Sequence, residues 1–178
     1  MKNPNDPVFR FCPSCGGKQL ASESVKSFSC RDCGFVFFIN CAAAVMALIF
    51  NERKELLVTR RKNNPAKGML DLPGGFAEPG ETIEQSLARE LMEELNLEIT
   101  SFEYLCSAPN IYPFRNVVYP ITDMAFICKI KGWENIRAGD DVLDFQFVDL
   151  SSLDIGSFGM DSARQVVKTY CRRFLSRD

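Results

Sequence analysis

Between Ala42 and Phe50 the chain is apolar without a break, AAAVMALIF, and a second apolar-rich run, Leu56 to Arg61, follows the polar turn Asn51-Glu52-Arg53-Lys54. Two such runs around a polar turn predict a pair of strands. From Asn63 to Gly80 proline and glycine interrupt every period, which predicts a loop. Ile83, Leu87, Leu91 and Leu95 then recur every fourth residue, the spacing of one helix face. Thr82 with Gln85 three residues later forms a capping-box pattern, so this helix is predicted to start there. Further strands are predicted over Phe102–Cys106, Val117–Ile130 and Phe145–Leu150. Asp161 is predicted as the N-cap of a last helix, whose apolar stripe is Ala163, Val166, Val167, Tyr170, Cys171 and Phe174. There is no internal repeat. Strands mixed with two helices predict an α/β or α+β sandwich.

Ahead of this pattern the chain changes character. Cys12, Cys15, Cys30 and Cys33 form CPSC, a gap of 14 residues, and CRDC, each pair followed by glycine. Paired CxxC at this gap is the spacing of a four-thiolate zinc site. Two disulfides or reduced spare thiols are the other readings, but a segment of about 40 residues needs a staple to fold. Four thiolates leave a zinc ion no open position, so this metal is expected to be structural. The other four cysteines, Cys41, Cys106, Cys128 and Cys171, read as small core residues.

Composition narrows the chemistry. The chain has 178 residues, 46% hydrophobic with 15 Phe, which is enough for one good core and a small appendage. It has no histidine, so Ser-His-Asp, Cys-His and His-metal chemistry are excluded. General-base work falls to carboxylates, lysine or metal-activated water. Net charge is -2, which gives no electrostatic case for nucleic acid as a partner. The N-terminus lacks an apolar run and the longest such run is about half a bilayer span, so a cytoplasmic protein without membrane association is expected.

Acid crowds the span from Gly74 to Leu97, GGFAEPGETIEQSLARELMEELNL. Glu90, Glu93 and Glu94 fall on one flank beside the apolar stripe, and Arg89 lies four residues before Glu93. Like charges so spaced cost a helix roughly 0.2–0.5 kcal/mol even in water. A solvated acidic face is one reading. Three hard oxygen donors at i, i+3, i+4 below a glycine turn also suit Mg²⁺ or Mn²⁺, which would turn the repulsion into binding.

The same span, Gly75, five residues, Glu81, seven residues, then Arg89-Glu90-Leu91-Met92-Glu93-Glu94-Leu95-Asn96-Leu97, resembles the Nudix box, G-x5-E-x7-R-E-U-x-E-E-x-G-U with U a bulky apolar residue. It departs at one position, where Asn96 replaces glycine. The four-cysteine ribbon resembles that of the NADH pyrophosphatase group. The resemblance implies an α/β fold, a Nudix-type α/β/α sandwich with a mixed sheet over residues 39–178, preceded by a small zinc ribbon over residues 1–38.

It also implies metal-dependent hydrolysis of the pyrophosphate bond in a nucleoside diphosphate linked to another moiety, such as NAD(H), ADP-ribose or a nucleotide sugar. Glu90, Glu93 and Glu94, with the Gly75 carbonyl, would hold Mg²⁺ or Mn²⁺. Arg89 would fix the helix, and Glu81 would brace the loop. The family's distal acid resembles Asp141. The family's SQPWPFPxS motif is only echoed by Ser107, Pro109 and Pro113-Phe114, without its Trp, so the substrate stays open. Tyr112, Phe114 and Tyr119 are the candidates to stack on a base, though strand aromatics are more often core. Arg60, Arg61, Lys62 and Arg115 are the candidates to meet phosphates or simply to lie at the surface, and Gly74 and Gly75 are further substrate-binding candidates. The expected partner is a small nucleotide, and ribbon-bearing relatives suggest a homodimer. A nucleotide- or RNA-binding module and RNA cap removal are the competing readings.

Overall fold

A computed structural model describes residues 2–175. Nine strands and two α-helices follow one another as β1 (Leu20–Ser22), β2 (Ser27–Cys30), β3 (Val36–Phe38), β4 (Ala42–Ile49), β5 (Leu56–Arg61), β6 (Leu70–Asp71), α1 (Ile83–Leu95), β7 (Ile99–Phe114), β8 (Val117–Ile130), β9 (Val142–Val148) and α2 (Asp161–Tyr170). A short helical stretch, Cys171–Leu175, continues α2. No helix among the described residues is long and apolar enough to cross a membrane.

The chain divides into two units. One comprises residues 1–42 with 111–120, and the other residues 43–110 with 121–178. The first is built on the small antiparallel sheet β1-β2-β3. Phe28 is fully buried in it, with Phe9 edge-on at 5.4 Å and Phe37 at 6.4 Å. The hairpin tip, Ile111–Pro120, clusters with the ribbon in this unit, an association that no local pattern in the sequence encodes.

The second unit holds the larger core. Its strands form the sheets β4-β8-β7 and β6-β5-β9, with β5 antiparallel to both β6 and β9 and an isolated parallel bridge from Leu70 to Phe158. β4 is buried at every position from Ala44 to Ile49, on both faces, which explains its unbroken apolar run. Val45, Ala47 and Ile49 meet Leu87, Leu91 and Leu95 of α1, together with Leu57 and Phe126. Mixed strands, with helix against sheet, give the expected α/β sandwich.

α1 forms as its sequence demands. Thr82 accepts from Gln85 N, Gln85 returns a bond to Thr82 N, and the stripe from Leu87 to Leu95 is buried. Asn96 ends the helix in the left-handed conformation at φ 55°.

Several expectations need correction. α2 begins one residue earlier than predicted: Met160 is the cap and Asp161 the first helical residue, with its carboxylate on Arg164. Phe174 is exposed rather than core. Of the four scattered cysteines only Cys128 is buried. Cys106 and Cys171 are half-buried and Cys41 is exposed. β7 runs well beyond its predicted Phe102–Cys106 at both ends.

The capping box leads to a direct test. Thr82→Ala removes one side-chain acceptor from the first turn of α1 and is expected to cost about 1 kcal/mol of stability, read as a lowered urea midpoint with unchanged slope.

Candidate active site

Two glycines close the loop before α1. Gly74 stands at φ 138°, where a side chain would collide with the Val45 carbonyl. Its N–H donates to Glu94 Oε2 at 2.9 Å. At Gly75 a Cβ would lie 2.6 Å from Glu90 Oε1, so a side chain there would have to push that carboxylate aside. The Gly75 carbonyl accepts from Val45 N at 2.8 Å, tying the turn to β4. The turn thus touches both buried glutamates of the helix.

Arg89 organises the acids. Its Nε and Nη2 grip Glu81 at 2.7 and 3.0 Å. Its Nη1 donates to Glu90 and to Glu93, both at 2.9 Å, and Nη2 also donates to the Phe76 carbonyl at 2.9 Å. The Arg89 hydrogen bond holds the Glu81 carboxyl down at about 2. One guanidinium faces three carboxylates, so negative charge stays in excess.

Glu94 stands apart from this network. It is 8% exposed, and its one side-chain partner among the described residues is the Gly74 N–H. Burial pushes its carboxyl up to about 8. The Gly74 hydrogen bond opposes the rise, and the charges of Glu90, Asp71 and Asp140 add to it. Glu90 is also raised, chiefly by burial, with Arg89 opposing. Glu93 is half exposed.

The loop from Asn135 to Asp141 is stapled to the end of α1. Gly139 N donates to the Glu94 carbonyl at 2.8 Å and Arg137 N to the Leu95 carbonyl at 3.1 Å, filling acceptors the helix leaves open. Asn96 Nδ2 donates to the Asn135 carbonyl at 3.0 Å. The sequence pointed to Asp141 as the distal acid. Its Oδ1 accepts from Asn63 Nδ2 at 2.6 Å, whereas it is the neighbouring Asp140 whose charge reaches Glu90 and Glu94.

The remaining site candidates are scattered. Arg60 is occupied by the Gly68 carbonyl at 2.9 Å and by Asp144 at 3.3 Å. Tyr112 is half-buried and Phe114 exposed, both in the hairpin-tip segment of the first unit. Asp71 was not among the residues singled out from the sequence, and Arg61 was singled out only as a phosphate candidate. Arg61 Nη1 pairs with Asp71 Oδ2, Asp71 Oδ1 accepts from Leu72 N, and Arg61 Nε donates to the Pro65 carbonyl. That buried pair sets the entry to the glycine turn. An acid inside the apolar LDLPGG run was the available signal, as was Asp123 within its strand. Asp123 is raised by burial, while Ser162 and Asn110 stabilise its charge.

In the first unit the sulfurs of Cys12, Cys15, Cys30 and Cys33 all lie within 4.8 Å of one another. Cys12–Cys33 is 3.7 Å and Cys15–Cys30 is 3.8 Å. Tetrahedral zinc with bonds of about 2.3 Å needs sulfurs roughly 3.8 Å apart, so the donor set fits zinc. Among the described residues no other group of three or more metal-ligating side chains is gathered so tightly. The α1 acids instead lean on Arg89 and Gly74. Their fit to a hard divalent ion rests on buried carboxylate oxygens with too little cationic compensation.

Comparison with known proteins bears on this geometry. The model of the NUDIX domain matches residues 42–168. An ADP-ribose pyrophosphatase of Methanocaldococcus jannaschii is 34% identical over 158 residues, covering 88% of this chain and 87% of that protein. A NAD-capped RNA hydrolase NudC of Vibrio atlanticus is 29% identical over 160 residues, 89% of this chain but 56% of that protein. The chain therefore spans little more than half of that NudC relative. Among solved structures, a NUDIX hydrolase from Nitrosomonas europaea superposes with a TM-score of 0.68 at 21% identity, covering 96% of this chain and 94% of that one.

The raised Glu94 carboxyl has a testable sign. Between about 4.5 and 8 the metal-free folded state keeps a proton that the unfolded chain releases, so this group lowers stability as pH rises through that window. Glu94→Gln removes the effect. In EDTA the variant is expected to match the parent near pH 5 and to exceed it at pH 8.5 by on the order of 1–3 kcal/mol in urea unfolding. Equal stabilities at both pH values would show that Glu94 carries no such burden.

Proposed function

This chain belongs to the NUDIX family, and from that footing we propose that it hydrolyses the pyrophosphate link of a nucleoside diphosphate joined to another moiety, with ADP-ribose the first substrate to try. The observation that carries the reading is Glu94: a carboxylate buried under a glycine turn, beside Glu90, with no cationic partner among the described residues. Such a group costs stability unless a cation or a proton meets it. The acid set is therefore built for something positive that the sequence does not itself supply.

In this reading Glu90, Glu93 and Glu94, with the Gly75 carbonyl, hold Mg²⁺ or Mn²⁺. When bound, the divalent ion neutralises diphosphate charge and makes water more acidic. The protein's own groups do the rest. Arg89 and Glu81 keep Glu90 and Glu93 at fixed positions, and Gly74 N–H holds one oxygen of Glu94 so that the other is free. Water attacks one phosphorus, the bridging oxygen leaves with the second phosphate, and a carboxylate of the acid cluster takes the proton released by water. Asp140 serves that cluster more directly than Asp141, because its charge reaches both buried glutamates. Tyr112 and Phe114 are the proposed contacts to the base, and Arg60, whose bond to Asp144 is long and exposed, is the proposed contact to phosphate.

The ribbon, residues 1–38, holds Zn²⁺ through Cys12, Cys15, Cys30 and Cys33, with residues 39–178 as the hydrolase domain. Reduced thiols at such a site agree with a cytoplasmic location. A homodimer is the assembly to test by light scattering. NAD-capped RNA is the second substrate reading, favoured by the NudC relatives.

Glu94→Gln is expected to lower kcat roughly a hundredfold or more and to weaken Mn²⁺ binding while leaving the fold intact. The assay offers ADP-ribose, NADH, a nucleotide sugar and NAD-capped RNA with Mg²⁺ or Mn²⁺ and analyses the products. A Glu94→Gln protein that turns over at the parent rate would remove α1 from the catalytic centre. Asp140→Asn is expected to slow turnover more than Asp141→Asn does, and the reverse order would restore Asp141 as the distal acid. Elemental analysis should find about one zinc per chain, lost in Cys15→Ser.

A further inference from the structure

Residues 3–6, Asn-Pro-Asn-Asp, precede the first cysteine pair and have no part in the chemistry above. Asn3 and Asn5 are nevertheless 3% and 1% exposed, a degree of burial that carboxamides reach only when their hydrogen bonds are met. Asn5 Oδ1 accepts from Val118 N at 2.6 Å, and its Nδ2 donates to the Val118 carbonyl at 2.8 Å. One side chain thus satisfies both backbone groups of a residue near the start of β8, as a neighbouring strand would.

Asn5 is itself held by the ribbon. Its N–H donates to Asn3 Oδ1 at 2.9 Å, and Asn3 Nδ2 donates to the Val25 carbonyl at 2.6 Å. Asn3 N donates to Ser22 Oγ at 2.9 Å, and Ser22 N donates to Asp6 Oδ1 at 3.1 Å. Ser22 ends β1 and Val25 lies in the turn to β2, the strand that ends on the metal-site residue Cys30. A continuous hydrogen-bonded path therefore runs from the cysteine sheet through Asn3 and Asn5 to Val118.

The segment so held is the hairpin tip. Arg115 and Asn116 turn it in left-handed conformations at φ 47° and 69°. Its surface is aromatic and open: Phe114 is 49% and Tyr119 40% exposed, and the Arg115 guanidinium lies 5.3 Å over the Phe114 ring. Beneath it is a cavity of about 480 Å³ lined by Asn3, Asn5, Val25, Cys41, Ile111 and Val118, so packing alone does not pin the tip.

We infer that Asn5 is a positioning residue through which the zinc ribbon fixes the hairpin tip, and that nucleotide affinity follows the tip's order. The second half rests on the assignment of Tyr112 and Phe114 to the base. Without metal a ribbon of this size does not hold its fold. Asn5 then loses its mount, and Val118 loses both of its partners. The ribbon's metal acts on binding without touching the hydrolysed bond.

The test uses the full, zinc-loaded chain. Asn5→Ala is expected to keep about one zinc per chain and to speed amide exchange across residues 111–120 roughly tenfold or more, as the loss of two buried hydrogen bonds implies. Exchange in α1 stays at the parent rate. The Kd for ADP-ribose, read by calorimetry, should weaken about five- to tenfold with kcat within roughly twofold. Asn5→Asp sets a second acceptor against the Val118 carbonyl and should speed exchange at least as much as Asn5→Ala. Chelating zinc from the parent protein should reproduce the exchange pattern at 111–120.

Unchanged exchange in Asn5→Ala, or loss of its zinc, overturns the positioning role, the latter because Asn5 would then be building the metal site. Faster exchange with an unchanged Kd overturns the link to affinity and leaves the pyrophosphatase reading standing. A parent protein that hydrolyses no substrate of the panel overturns that reading, while exchange and Kd still decide the role of Asn5.

Discussion

A single guanidinium, that of Arg89, has every one of its five N–H groups engaged: two on Glu81, one each on Glu90 and Glu93, and one on the Phe76 carbonyl. The planar fork suits this task as a lysine could not, because the directions of the bonds are fixed together. The loop, the glycine turn and the acidic flank of α1 are mutually placed by it. Its charge is also too small for the set it serves. Structure and chemistry meet in that mismatch: the arrangement is rigid enough to persist without a cation and negative enough to recruit one.

The core makes this tolerable. Leu87, Leu91 and Leu95 press α1 against Val45, Ala47 and Ile49, so acids on the neighbouring flank cannot relax by unwinding the helix. Burial of Glu90 and Glu94 follows from the same packing. Apolar burial at about 25 cal/mol per Å² supplies ample stabilisation to hold a locally unfavourable site.

Legibility in the sequence followed the range of the interactions. α1 was readable to the residue because its cap, stripe and left-handed end are all set within a few positions, as Thr82, Gln85 and Asn96 show. β7 was read short because it lies at the edge of its sheet, where polar residues and Pro109 and Pro113 are tolerated that a central strand would exclude. Phe174 and Cys41 misled because periodicity and residue type do not say where a sheet ends. The Arg61–Asp71 pair joins β5 to β6, and Asn5 meets Val118 across 113 residues, so neither leaves a local pattern. Asp140 takes a left-handed conformation at φ 42° and the carboxylate of Asp141 goes to Asn63, a local geometry that residue type alone does not give.

Asn96 stands where the box pattern has glycine, and its amide reaches the Asn135 carbonyl, a bond no glycine can make. Here the position both ends the helix and ties it to the following loop. Lengthening or shortening the loop behind it would move that carbonyl away from the amide. Because the acceptor is backbone, residue 135 can change its side chain without breaking the tether. A motif search that insists on glycine would pass over chains that took this route, although nothing in their acid cluster has altered.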